Sequence, residues 1–143
     1  MFAYGTTGSG KTYTVSGGAK KRNGIIQQTV RRIRQKFIDA KFFKSKLSCY
    51  MIQLYKSDIV DLLRHSTILP VALEVIEDGR TGLIEIKGAT LIQPTTKDFL
   101  AENGEEIFIK AINTGLDNRL MRATNANETS SRSHLVISFV ITY

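Results

Sequence analysis

The chain has 143 residues, 42% of them hydrophobic and 23% charged, with a formal net charge of +7. This is globular composition at the length of one domain: no apolar run approaches the roughly 20 residues of a membrane span, and Met1-Phe2-Ala3-Tyr4-Gly5 lacks the basic stretch and apolar core of a signal peptide. Cys49, the only cysteine, excludes an internal disulfide and fits a reducing compartment; within Leu47-Ser48-Cys49-Tyr50-Met51-Ile52 it reads as a buried strand thiol, not a nucleophile.

Residues 2–4 read as a strand stub. Residues 5–10 are a Gly-rich loop, and residues 11–15 open a helix that the turn-rich stretch 16–24 interrupts. Ile26, Val30, Ile33 and Phe37 then recur at helical spacing, with Arg31, Arg32, Arg34 and Lys36 mostly on other faces. Residues 47–54 are nearly all apolar or uncharged and read as a strand buried on both sides. Residues 58–63 look like a short helix, and 73–90 like two short strands around Asp78-Gly79-Arg80-Thr81-Gly82. Residues 105–114 suggest a helix with acids in its first turn and Gly115 placed to end it. Residues 118–133 are a polar loop, and 135–143 another buried strand. Strands alternating with helices point to an α/β sheet.

Charge is unevenly spread. Residues 1–72 carry 13 Lys/Arg against three acids, or +10, whereas 73–143 carry seven against ten, or −3. The asymmetry suggests an acidic partner for the first half, either nucleic acid or an acidic protein surface, or else simply solvated charges. The stretch from Lys20 to Lys46, with ten Lys/Arg and only Asp39 opposing them, reads mainly as a solvated face.

Gly5-Thr6-Thr7-Gly8-Ser9-Gly10-Lys11-Thr12 fits the pattern G-x-x-x-x-G-K-S/T at every required position. Glycines let the backbone curl so that successive N–H groups face phosphate oxygens, and the helix that follows adds its positive end. Lys11 suits the β- and γ-phosphates, and the Thr12 hydroxyl suits Mg2+. The loop alone identifies neither the base nor the reaction.

A second polar constellation, Asn127-Glu128-Thr129-Ser130-Ser131-Arg132-Ser133-His134, precedes the last strand. By itself it reads as a strand entry with local side-chain turns. Beside a phosphate loop, its hydroxyl and amide groups suit the Mg2+ shell and the γ-phosphate of a switch segment.

Together these segments resemble the kinesin motor domain. Residues 2–14 are similar to the kinesin phosphate-loop signature, with Thr6 where the family usually has Gln, and Asn127 to His134 match its switch I pattern N-x-x-S-S-R-S-H. Gln53-Leu54-Tyr55-Lys56-Ser57-Asp58-Ile59-Val60-Asp61-Leu62-Leu63 is similar to the family's E-I-Y-N-E-x-I-x-D-L-L segment. Lys87-Gly88-Ala89-Thr90, Gly115-Leu116-Asp117-Asn118-Arg119 and Ala123-Thr124 also follow in the family's order, so the resemblance covers essentially the whole chain. Departures fall at Thr6, Gln27 (where the family often has Pro), Gln53, Lys56, Ser57 and Ala126, none of them an expected phosphate ligand.

The resemblance implies a P-loop NTPase kinesin-motor fold, α/β with a mixed sheet flanked by helices and truncated at both ends. It implies ATP and Mg2+ as cofactors, with Gly5, Thr6, Thr7, Gly8, Ser9, Gly10, Lys11, Thr12 and Tyr13 at the nucleotide. Thr12 and Ser131 would serve Mg2+, Asn127 and Ser130 would hold the γ-phosphate, and Arg132 would form a gating ion pair. Arg119 would brace the loop before the switch. The partner implied is the microtubule, with a cytoplasmic, cytoskeletal location and no membrane. Arg80 and Lys87 are either a minor microtubule contact or ordinary surface charges. No D-x-A-G-x-E motif occurs, so the switch II residues and the main filament-binding elements are not among these 143 residues. The isolated chain is therefore expected to be aggregation-prone and to hydrolyse little ATP. The alternatives are a non-catalytic nucleotide- or microtubule-binding module derived from a motor, and a phosphate-loop enzyme acting on nucleic acid. The switch I pattern and the lack of a base-stacking signature weigh against the latter.

Overall fold

The structure, a computed structural model, describes residues 1, 3–6, 8–17, 23–65, 72–80, 82–125 and 133–142. Its elements in chain order are α1 (Lys11–Ser16), α2 (Ile25–Asp39), β1 (Lys46–Tyr55), β2 (Asp58–Asp61), β3 (Glu74–Glu77), β4 (Ile84–Lys87), α3 (Thr96–Leu100), α4 (Glu106–Asn125) and β5 (Ser133–Thr142). The α/β class expected from the sequence holds. Ala3 and Tyr4 form no strand, because neither enters a ladder with a neighbouring strand. The chain groups into two units: Met1–Leu47 with Gln93–Asn113 and Ile141–Tyr143, and Ser48–Ile92 with Thr114–Val140.

The first unit is built on α2. Ile26, Val30 and Phe37 are buried on one face, as their spacing requires, and Gln27 is buried beside them. Phe37 meets Phe99 edge-to-face at 5.6 Å, and Phe99 meets Phe108 in the same way at 5.4 Å. Each of these rings is essentially inaccessible to water, so burial of each contributes about 1.5–3 kcal/mol, with about 0.5–1.5 kcal/mol more per ring pair.

Arg34 departs from the solvated-face expectation. Its guanidinium donates to the Phe99, Leu100 and Ala101 carbonyls and lies 3.2 Å from the Glu105 carboxylate. A cation is thus placed on the carbonyls at the end of α3, where the Ala101 carbonyl also accepts from the Gly104 N–H at 3.0 Å. The sequence reading overlooked α3 itself, although Thr95 and Asp98 mark its start. The Thr95 hydroxyl accepts from the Asp98 N–H at 3.1 Å and donates to the Asp98 carboxylate at 2.6 Å.

In the second unit β1 lies between β2 and β5, and β3 pairs with β4 in a separate ribbon. β1 is buried along most of its length, as expected. Residues 58–63, read as a helix, instead begin with strand β2, antiparallel to β1 in the register Tyr55↔Asp58 to Ile52↔Asp61. Lys56 and Ser57 form the connecting turn, with Lys56 at φ 53, and β-branched Ile59 and Val60 then suit an extended chain. Asp61 ends the strand: its carboxylate accepts from the Leu63 and Thr90 N–H groups and faces Arg64 at 3.6 Å.

α4 corrects two expectations. It does not stop at Gly115, and residues 118–125 are helical. A Cβ at Gly115 would lie 3.2 Å from Leu63 Cδ2 and closer still to Met51 Sδ, so this glycine is a packing residue and not a terminator. The polar residues that suggested a loop have partners within the unit: Asn118 Nδ2 donates to the Leu62 carbonyl at 2.8 Å, and Arg119 reaches Ser133. β5 is half-buried where a fully buried strand was expected, since it ends the order β2-β1-β5 and has one paired edge in that sheet. Among the described residues no helix is long and apolar enough to cross a membrane.

Candidate nucleotide-binding site

Gly5, Gly8 and Gly10 adopt φ values of 152, 82 and 86, the region that side chains disfavour. A Cβ at Gly5 would also sit 2.6 Å from Ser9 Oγ, so that side chain would have to turn away. The loop closes on itself through the Ser9 N–H, which donates to the Thr6 carbonyl at 3.2 Å. Gly10 is the left-handed N-cap of α1 and supplies no side-chain cap to the first N–H groups of the helix, which suits an anion there.

Lys11, the first residue of α1, folds its ammonium back over the loop, donating to the Gly5 carbonyl at 2.6 Å and the Thr6 carbonyl at 2.7 Å. The amine thereby ties the start of the loop to its end. Thr12 follows, exposed, with its carbonyl held by the Ser16 hydroxyl at 2.8 Å. Gly5, Thr6, Gly8, Ser9 and Gly10 are all exposed, and no Asp or Glu occurs in the sequence before Asp39. The ring of Tyr13 is exposed as well. A depression of about 290 Å3 lies along the far end of α1, lined by Tyr13, Thr14, Gly17, Asn23, Gly24, Ile25 and Gln28. Of the expected nucleotide contacts, only Tyr13 borders it. A curl of glycines, an ammonium against it and a hydroxyl one residue on together suit a polyphosphate with its Mg2+.

Thr7, Asn127, Ser130, Ser131 and Arg132 lie outside the described residues. The elements on either side of 126–132 are joined by Arg119 of α4, whose Nη2 donates to Ser133 Oγ at 3.1 Å, at the start of β5. Burial pulls the Arg119 pKa below its ordinary value. Its expected bracing role thus has a contact beside the segment. Arg80 and Lys87 belong to the β3–β4 ribbon, Arg80 in its turn, and both are exposed. Lys87 lies 4.0 Å from Glu74 in an exposed pair, an arrangement worth about 0–1 kcal/mol.

The sequence reading missed a polar connection behind the loop. Gln27 Nε2 donates to the Ser16 carbonyl at 3.3 Å and to Asn113 Oδ1 at 3.4 Å. The one signal for it was a glutamine beside the apolar stripe of α2, at a position already noted as a departure from the family pattern.

Comparison with known proteins accounts for the whole chain. The Kinesin motor domain family model matches residues 1–143. The chain is 34% identical over 141 residues to Kinesin-like protein KIN-14E of Arabidopsis thaliana, covering 99% of this chain and 10% of that protein. It is 34% identical over 142 residues to Kinesin-like protein KIP3 of Saccharomyces cerevisiae, covering 99% of this chain and 16% of the relative. The chain therefore spans only a small part of the curated relatives it matches. Among solved structures it resembles a fast kinesin studied for its ATPase mechanism and interactions with microtubules. That match has a TM-score of 0.77 at 26% identity and covers 98% of this chain and 37% of the other. Motif, loop geometry, fold and relatives agree: this chain belongs to the kinesin motor domain family.

Proposed function

We propose that the chain is the ATP-binding portion of a microtubule-based motor. In this reading residues 1–143 are part of one motor domain, and Gly5 to Tyr13 hold the nucleotide. Lys11 exchanges its contacts with the Gly5 and Thr6 carbonyls for the terminal phosphates. Thr12 and Ser131 hold Mg2+, which when bound neutralises charge on the phosphate oxygens. Asn127 and Ser130 hold the γ-phosphate, and Arg132 serves the switch as one half of a gating ion pair. Such sites act by positioning and charge stabilisation, so the chain's own groups orient and shield the phosphates and do not react covalently. The cytoplasm and the microtubule are the corresponding location and partner, with Arg80 and Lys87 as a minor contact.

The observation that carries this reading is the fit of the loop to its motif. The glycines sit where a Cβ is disfavoured, the Lys11 ammonium lies against the loop's own carbonyls and Thr12 follows it at the start of α1, in a kinesin-family chain, which supports the reading. Isothermal titration with ATP in the presence and absence of Mg2+ tests it. Saturable, Mg2+-dependent binding is expected. Absence of heat on titration with Mg·ATP, or binding matched by inorganic phosphate alone, would overturn the proposal.

A further inference from the structure

Gln27 stands at 0% exposure on the buried face of α2, among apolar neighbours. Its Nε2 spans two elements: it donates to the carbonyl of Ser16, the last residue of α1, and to the side chain of Asn113 on α4, at 3.3 and 3.4 Å. Its Oε1 is buried without a hydrogen-bond partner among the described residues. Ser16 is itself buried, and its hydroxyl binds the carbonyl of Thr12, the proposed Mg2+ residue. A continuous polar path therefore runs from Thr12 through Ser16 and Gln27 to Asn113.

This is a poor way to stabilise a core. An unpaired buried acceptor costs about 1–3 kcal/mol, and both contacts of Nε2 are long. An apolar side chain of the same shape would fill the site without that cost. What the amide provides is a directional link between the phosphate-loop helix and α4, the helix that runs to Asn125, immediately before residues 126–132. Methylene groups could pack there but could not relay the position of a carbonyl.

We infer that Gln27 is a positioning residue that couples the phosphate loop to α4, and hence to the discrimination of the γ-phosphate. The inference rests on the reading of Gly5 to Thr12 as a nucleotide site. Coupling between sites is a free energy, and a double-mutant cycle is the measurement that isolates it. Gln27→Met keeps the length and flexibility of the side chain and removes the amide; Asn113→Leu removes the opposite end of the link.

The two single variants and the double variant are titrated with Mg·ATP and Mg·ADP, and each is melted to verify folding. The ratio of triphosphate to diphosphate affinity is expected to change by about 5-fold or more in each single variant. The double variant should change it no further, because either substitution already breaks the same path. A merely structural glutamine would lower the Tm and leave that ratio unchanged, which would overturn the inference. So would a double variant whose effect is the product of the two singles. If Gln27→Met does not fold, Asn113→Leu alone decides by the same ratio. Failure of the underlying reading is distinguishable: the unsubstituted chain would then bind neither nucleotide, and both proposals would fall together.

Discussion

Replacing Gly115 by alanine separates a packing glycine from a helix-ending one. Within α4 the added methyl group gains about 0.8–1 kcal/mol of helix propensity if nothing opposes it. Here it enters space held by Met51 Sδ and lies 3.2 Å from Leu63 Cδ2, and Met51 is fully buried, so the thioether has no solvent into which to retreat. Overpacking of this kind costs about 1–3 kcal/mol. The net expectation is a loss of up to about 2 kcal/mol. A chain of this size loses about 3 °C of Tm per kcal/mol, so Tm should fall by up to about 6 °C in thermal denaturation followed by circular dichroism. Combining Gly115→Ala with Met51→Leu, which removes the obstructing sulfur, should cost less than the sum of the two single changes by about 0.5 kcal/mol or more. A Gly115→Ala variant more stable than the parent would refute the reasoning, because that is how an unobstructed helix glycine behaves.

Thr95→Ala removes the cap of α3 and its bond to Asp98, and should lower stability by about 1 kcal/mol, or about 3 °C in Tm, in the same experiment. An unchanged Tm would mean that α3 does not depend on its cap. Burial pushes the Cys49 thiol up to about 12, so at pH 8 it should resist a thiol reagent such as Ellman's in the native chain and react fully in denaturant. The unfolded thiol ionises near pH 9 while the folded one keeps its proton, so this residue's stability contribution is complete below pH 9 and is lost as the pH rises from about 9 toward 12. Prompt labelling of native Cys49 would contradict its burial.

The local patterns were legible in the sequence. α2 follows from the spacing of Ile26, Val30, Ile33 and Phe37, β1 from its apolar run, and the β3–β4 ribbon from its turn residues. The phosphate loop was legible because phosphate geometry imposes both the spacing and the residue types. What failed depended on distant partners. Residues 58–61 are a strand because β1 lies alongside and Lys56 accepts a left-handed turn, neither of which Asp-Ile-Val-Asp declares. Gly115 carries the usual mark of a helix end, yet its meaning is fixed by Met51, which is 64 positions away in sequence. Arg34 looked like one more cation on a basic helix until α3 supplied carbonyls for it. Gln27 is similar: its partner on α4 is 86 residues away, so only the fold shows that the glutamine is buried and linked.

In the proposed function Gly5 to Thr12 holds Mg·ATP through Lys11. Equilibrium titration of the parent chain and its Lys11→Ala variant with Mg·ATP tests this most directly, with a melting curve for each to verify the fold. Loss of charge-assisted bonds to the phosphates costs about 1.5–3 kcal/mol, so affinity should fall by about 10- to 150-fold while α2 and β1 remain folded. Equal affinity in parent and variant, or no binding by either folded chain, would contradict it.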